Sequence, residues 1–143
     1  MTRSSQLKAT LDGLYAGRSQ QNLHNDPLSF CHRYSDPADQ EVAALIAAVF
    51  AYGSVKVIKG SLNRIFALIG DSPAGFIDAF EPRKQKKQLE GFRHRFNDDV
   101  DLACLFWATR QMRRQCGSVE QFFVTHHDSN ADTIEKGLNG FRA

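Results

Sequence analysis

Residues 36–70 read DPADQEVAALIAAVFAYGSVKVIKGSLNRIFALIG. The stretch reads as two helices meeting at one joint, Tyr52-Gly53-Ser54. In the first, Val42, Leu45, Ile46, Val49 and Phe50 recur at i, i+3, i+4, i+7 and i+8, which lays one apolar stripe along a helix. In the second, Ile58, Leu62, Ile65, Phe66 and Ile69 form another stripe, and Gly70 supplies a C-terminal stop. The first helix is apolar and the second carries Lys56 and Lys59, so the joint sets a basic surface beside an apolar core.

Helix starts recur on either side. Asp26-Pro27, Asp36-Pro37 and Ser72-Pro73 each place a capping residue before a proline at the first helical position. Ser118 with Gln121 spells a capping box ahead of Phe122 and Phe123. Leu102, Leu105, Phe106 and Thr109 open a helix that runs to Cys116 and stops at Gly117. Shorter helices are expected near 5–16, 27–34, 73–80, 83–90, 119–126 and 131–141. No window sustains period-two alternation, and Asn139-Gly140 fits a helix end better than a hairpin. The expectation is an all-α single domain over residues 1–143, with about seven to nine short-to-medium helices.

A chain of 143 residues can bury roughly 70% of its unfolded surface. Its 42% apolar and 24% charged content is ordinary for a globular protein. The net charge of +2 names no partner, but its distribution is uneven. Residues 81–117 hold nine bases against five acids, a local excess of +4, while residues 1–80 balance at seven each. Such local basicity suits a binding face and equally a solvated one.

Cys31, Cys104 and Cys116 form no C-x-x-C pair, which argues against a disulfide framework or zinc site and for a reduced, cytoplasmic setting. The N-terminus lacks the apolar stretch of a signal peptide. The apolar run Val42–Tyr52 is too short for a bilayer, which needs about 20 residues. No membrane contact and no cofactor are expected.

Two constellations could carry chemistry. After Gly53, Ser54 caps a helix on which Lys56, Lys59 and Asn63 recur opposite the apolar stripe. A helix N-terminus beside lysines can seat a phosphate, and an ordinary amphipathic helix with a wet lysine face has the same pattern. The second is Arg83-Lys84-Gln85-Lys86-Lys87 followed by Phe92-Arg93-His94-Arg95-Phe96. The lysine-rich run suits a solvated face. In the second part the phenylalanines would anchor a connection while Arg93, His94 or Arg95 reach a ligand or a buried carboxylate. Pairing of an arginine with Asp98, Asp99 or Asp101 is the structural alternative. His126-His127-Asp128 lacks a third ligand at i+4 and is not expected to bind metal. No nucleophile elbow, Walker A loop or dinucleotide fingerprint occurs, so no catalytic residue can be named.

Five segments taken together resemble a known family: Asp26–Phe30, His32–Tyr34, Asp36–Glu41, Ala51–Lys56 and Phe92–Phe96. They are similar, in order and spacing, to the N-terminal half of a mainly bacterial family of conserved hypothetical proteins. The resemblance covers residues 20–143, and its members run to about twice this length. The second half of that family looks like the helix-hairpin-helix base-excision DNA glycosylases, with a segment similar to their catalytic-aspartate helix. By fold-level analogy, the resemblance implies an orthogonal helical bundle corresponding to part of the glycosylase fold, with residues 36–70 among its early helices. The joint Tyr52-Gly53-Ser54 would then border a base pocket. The chain ends at Ala143, before any such hairpin or aspartate, as a fragment or a truncated member would.

Three functions follow as expectations. In the first, Lys56, Lys59, Arg93 and Arg95 meet DNA phosphates and Tyr52 lines a base pocket, in the DNA-binding portion of a glycosylase-like repair protein that is not catalytic alone. Gly53, Ser54 and His94 complete that nucleic-acid-binding set. In the second, an apolar face around Phe122, Phe123 and Phe141 binds a protein partner or a second copy. The third is an enzyme for a small anionic ligand, which a deep pocket around His94 would favour.

Overall fold

The computed structural model describes residues 3–18 and 26–142. Residues 20–25 and Ala143, within the span of the resemblance, lie outside them. The α-helices are α1 (Arg3–Arg18), α2 (Pro37–Val49), α3 (Val55–Ile69), α4 (Pro73–Ala79), α5 (Pro82–Leu89), α6 (Asp99–Cys116), α7 (Val119–His126) and α8 (Glu135–Asn139). Short 3-10 helices span Pro27–Arg33 and Gly140–Arg142. The fold is all-α, as the periodicity requires, with one exception. Strands β1 (Arg93–His94) and β2 (Asn97–Asp98) pair antiparallel, Arg93 opposite Asp98 and His94 opposite Asn97.

The α3 stripe is buried throughout, from Ile58 to Ile69. The α2 stripe is rotated from its expected line: Val42, Ala43, Ile46, Ala47 and Phe50 are buried, while Val49 is 42% exposed. Small alanines let α2 pack closely along that edge. Phe30 stacks on Phe66 at 5.1 Å, and Phe80 meets Phe106 edge-on at 5.2 Å, so rigid aromatic pairs fill the centre.

The acids of the Asp36–Glu41 segment organise the bundle by capping three different helices. Asp36 accepts from the amides of Ala38 and Asp39 at the start of its own helix. Asp39 reaches across to the amide of Ala74 in α4 at 2.8 Å. Glu41 accepts from Val119 at 3.0 Å and Glu120 at 2.6 Å, the first amides of α7. Helix N-termini expose unpaired donors with partial positive charge, so each carboxylate satisfies donors and complements a dipole. Ser118 also caps α7 through the Gln121 amide, but Glu41 supplies the second half of that cap. The reciprocal capping box belongs to α6, between Asp98 and Asp101.

Asp78 holds Arg113 through two 2.9 Å contacts and so ties α4 to α6. That charge-assisted fork keeps Arg113 protonated above the usual arginine range. The expected helix over 131–141 is shorter, because Asp128 turns the chain through the Asn130 amide and its carbonyl takes the Ala131 amide. No helix among the described residues is long and apolar enough to cross a membrane.

Candidate nucleic-acid interface

The joint between α2 and α3 forms one wall of the candidate site. Phe50 ends α2, and the chain turns at Gly53, whose φ of 105° is open to glycine and strained for other residues. Ser54 then caps α3 through the Val57 amide at 3.4 Å. Lys56, in the first turn, is exposed, and Lys59 one turn on is half-buried.

The hairpin forms the other wall. Arg64 of α3 donates to the carbonyls of Gly91 (2.6 Å) and Glu90 (3.0 Å), fixing the chain where the hairpin begins. Strand alternation then decides which residues face out. Phe92 and His94 are buried, while Arg93 and Arg95 are exposed. The sequence segment reads as an anchored connection with two phenylalanine anchors, yet only Phe92 anchors it. Phe96 sits at the hairpin tip, 83% exposed.

Of Arg93, His94 and Arg95, any of which the sequence suggested could reach a ligand or a buried carboxylate, His94 is fully buried and faces inward. Its Nδ1 lies 2.8 Å from Ser61 Oγ and its Nε2 3.1 Å from the carbonyl of Tyr52. That carbonyl can only accept, so Nε2 carries a proton and donates to it, while Nδ1 pairs with the Ser61 hydroxyl. Tyr52 returns the contact: its ring meets His94 edge-on at 4.6 Å and its hydroxyl is aimed at the His94 carbonyl and the Asn97 side chain. Phe50 closes a further side of the imidazole at 5.3 Å. The space around His94 is therefore filled by side chains.

Arg95 brings the two walls together. It has a left-handed backbone, φ 53°, which is uncommon for a residue with a Cβ. Its side chain folds back across Gly53, with Cδ 3.1 Å from where a Cβ at that position would lie. Its guanidinium carbon stands 5.6 Å from the Phe96 ring centroid. Arg93 faces Asp98 in the register, but Asp98 and Asp101 direct their carboxylates to the α6 backbone.

Of the residues singled out from sequence, Tyr52, Gly53, His94 and Arg95 thus meet at one place, with Ser54 and Lys56 next along the chain. Arg93 is beside them in the hairpin and Lys59 lies one turn further along α3. Asn63 is engaged by Arg33 at 3.3 Å. Phe96 is the feature that sequence reasoning missed. The Phe-Arg-His-Arg-Phe alternation was its signal, obscured because Arg95-Phe96 lacks the glycine or asparagine of ordinary two-residue hairpins. At the far end, His126 Nδ1 lies 2.8 Å from the Phe122 carbonyl and Asp128 pairs with Lys136 at 3.0 Å.

Comparison with known proteins adds one relationship. No curated protein and no solved structure matches the chain. A family model described as "Protein of unknown function (DUF2400)" matches residues 26–143, and the chain belongs to that family.

Proposed function

We propose that the joint and hairpin together form a nucleic-acid contact, with DNA as the polymer. The observation that carries this reading is the hairpin tip, where Arg95 and an exposed Phe96 stand together beside the first turn of α3. Arg93 and Arg95 suit phosphate through their planar forks, and Lys56 and Lys59 add point charges. The positive end of the α3 dipole has the same sign. Phe96 offers a face for an unstacked base, a contact worth about 1–3 kcal/mol. Tyr52 and His94 act from beneath, holding the hairpin against the joint.

The resemblance to glycosylase-like proteins extends the proposal to base-excision repair. Flipping a damaged base and cleaving its glycosidic bond would require an aspartate to which no residue of 1–143 corresponds. These residues would contribute strand binding to that chemistry.

The test is affinity for duplex and single-stranded DNA across a salt series. Binding that weakens steeply with salt, with a log–log slope of about −2 to −4, would reflect several phosphate contacts. An absence of binding at low salt by the folded chain would remove DNA from this surface. Binding with no salt dependence would remove the phosphate contacts.

A further inference from the structure

Helices α5 and α6 form a groove that starts at the hairpin. They run antiparallel: Lys86 and Leu89 of α5 lie beside Val100 and Ala103 of α6, and Pro82 and Arg83 lie beside Trp107 and Arg110. Helix α6 follows β2 directly, so Trp107 stands about 12 Å along the helix from the hairpin base at Asp99. The α5 wall carries Arg83, Lys84, Lys86 and Lys87 and no acid. Lys84 is paired with Glu81 at 2.9 Å, while Arg83, Lys86 and Lys87 are exposed and form no ion pair among the described residues.

At the far end the groove widens into a hollow of about 430 Å³, lined by Glu81, Pro82, Arg83, Trp107 and Arg110. Arg110 is 8% exposed, yet no carboxylate forms an ion pair with it among the described residues. Its Nε donates to the Asp78 carbonyl at 3.0 Å, and its guanidinium carbon lies 5.2 Å from the Trp107 ring centroid. Buried charges are ordinarily paired, so an arginine held without a counter-ion at the wall of a hollow leaves a place for an anion. The Glu81 carboxylate is turned to Lys84 and is held below its ordinary value, first by that lysine and further by Arg110 and Arg114. The local potential is therefore positive. Trp107 is 40% exposed, although tryptophan is highly buried on average.

We infer that this groove carries single-stranded DNA away from the hairpin and seats one nucleotide in the hollow, its phosphate on Arg110 and Arg83 and its base against Trp107. The inference rests on DNA being the polymer bound at the hairpin. A nucleotide uses both kinds of group at once, guanidinium forks for phosphate and an aromatic ring for the base. An acidic polypeptide would use the cations and leave the ring idle. The bases of α5 give the phosphates between the two ends a path of matching charge.

Trp107 is the chain's one tryptophan, so its fluorescence reports this hollow. The experiment titrates the full chain with a twelve-nucleotide oligothymidylate, following tryptophan emission together with the anisotropy of the labelled strand. Emission should be quenched along the same isotherm as the anisotropy. Trp107→Leu and, separately, Arg83→Glu should each weaken binding at least about 5-fold. Arg83 is exposed, so its variant keeps the fold, with circular dichroism as the control for both. Phe96→Ala should weaken binding but leave the quenching at saturation intact. Binding with unchanged emission and wild-type affinity in both groove variants would overturn the inference and leave the hairpin contact standing. Equal quenching by polyglutamate would overturn it in favour of an acidic protein partner. A strand that does not bind at all would remove hairpin contact and groove together.

Discussion

The side chain of Arg95 lies across Gly53, so that a Cβ at position 53 would come within 3.1 Å of Arg95 Cδ. A glycine on one element thus gives an arginine on another its resting place. Gly53→Ala meets two penalties at once: a left-handed φ of 105° and a close approach that moves the Arg95 side chain by a few tenths of an ångström. The variant should lose about 1–2 kcal/mol in urea denaturation and bind DNA more weakly than wild type. Unchanged stability and unchanged affinity together would mean that this contact matters to neither.

Charge and stacking can be separated at the same site. Lys56→Glu with Arg95→Glu reverses two exposed cations and should abolish DNA binding while helicity, read by circular dichroism, is retained. Phe96→Ala should leave stability within about 0.5 kcal/mol because the ring is exposed. The same change should weaken single-strand binding by about 1–3 kcal/mol and hardly alter its salt slope. A double variant that binds like wild type would show that the proposed face is wrong.

His94 makes the opposite prediction. Its ring is buried between Phe50 and Tyr52 and bonded to Ser61 and the Tyr52 carbonyl. His94→Ala removes packing and strands two buried polar groups, at a cost of about 3–4 kcal/mol. Ser61→Ala removes one hydrogen bond and should cost about 1 kcal/mol. If His94→Ala proves as stable as wild type, the residue is available for chemistry that its burial argues against.

The helices of this fold were legible because their signals are local. Asp36-Pro37, Ser54 and Ser72-Pro73 sit where helices begin, and the α3 stripe is buried as its spacing predicts. The hairpin was not legible. Two-residue strands are too short to establish a period, and Arg95 has a turn conformation usually given to glycine or asparagine. The site was legible in part for the same reason. The cations could be read from sequence, but which of Phe92, His94 and Phe96 faces inward depends on strand register. The partners of Asp39 and Glu41 lie 35 and 78 residues away and carry no sequence signal at all.

Burial sets the pH dependence expected on the alkaline side. The Cys31 thiol, 7% exposed and donating to the Leu28 carbonyl, is pushed above its ordinary value of 9.0, chiefly by desolvation. Tyr34 is raised above 10.0, again chiefly by desolvation. In both, the native state keeps its proton to higher pH than the unfolded chain. The stabilisation is therefore complete below the unfolded values and is lost as pH rises through the folded ones. Stability from urea curves should fall from about pH 9 upward, and Cys31→Ala should fall less steeply. Equal slopes for variant and wild type would exclude the thiol as a contributor.

Glu41 gives the most direct test of how the Asp36–Glu41 segment builds the bundle. Its two oxygens take the amides of Val119 and Glu120, and Oε2 lies 3.7 Å from Arg113 Nη1. Glu41→Ala leaves the α7 amides without that acceptor and should cost about 2 kcal/mol, the range of a lost cap with charged hydrogen bonds. Arg113 keeps its fork to Asp78, so the loss stays local. Glu41→Gln retains one acceptor oxygen and should cost about half as much. Hydrogen exchange adds a spatial readout: protection should drop in α7 and α8 while α3 is unaffected. Uniform loss of protection would mean that Glu41 supports the whole core rather than the seating of α7.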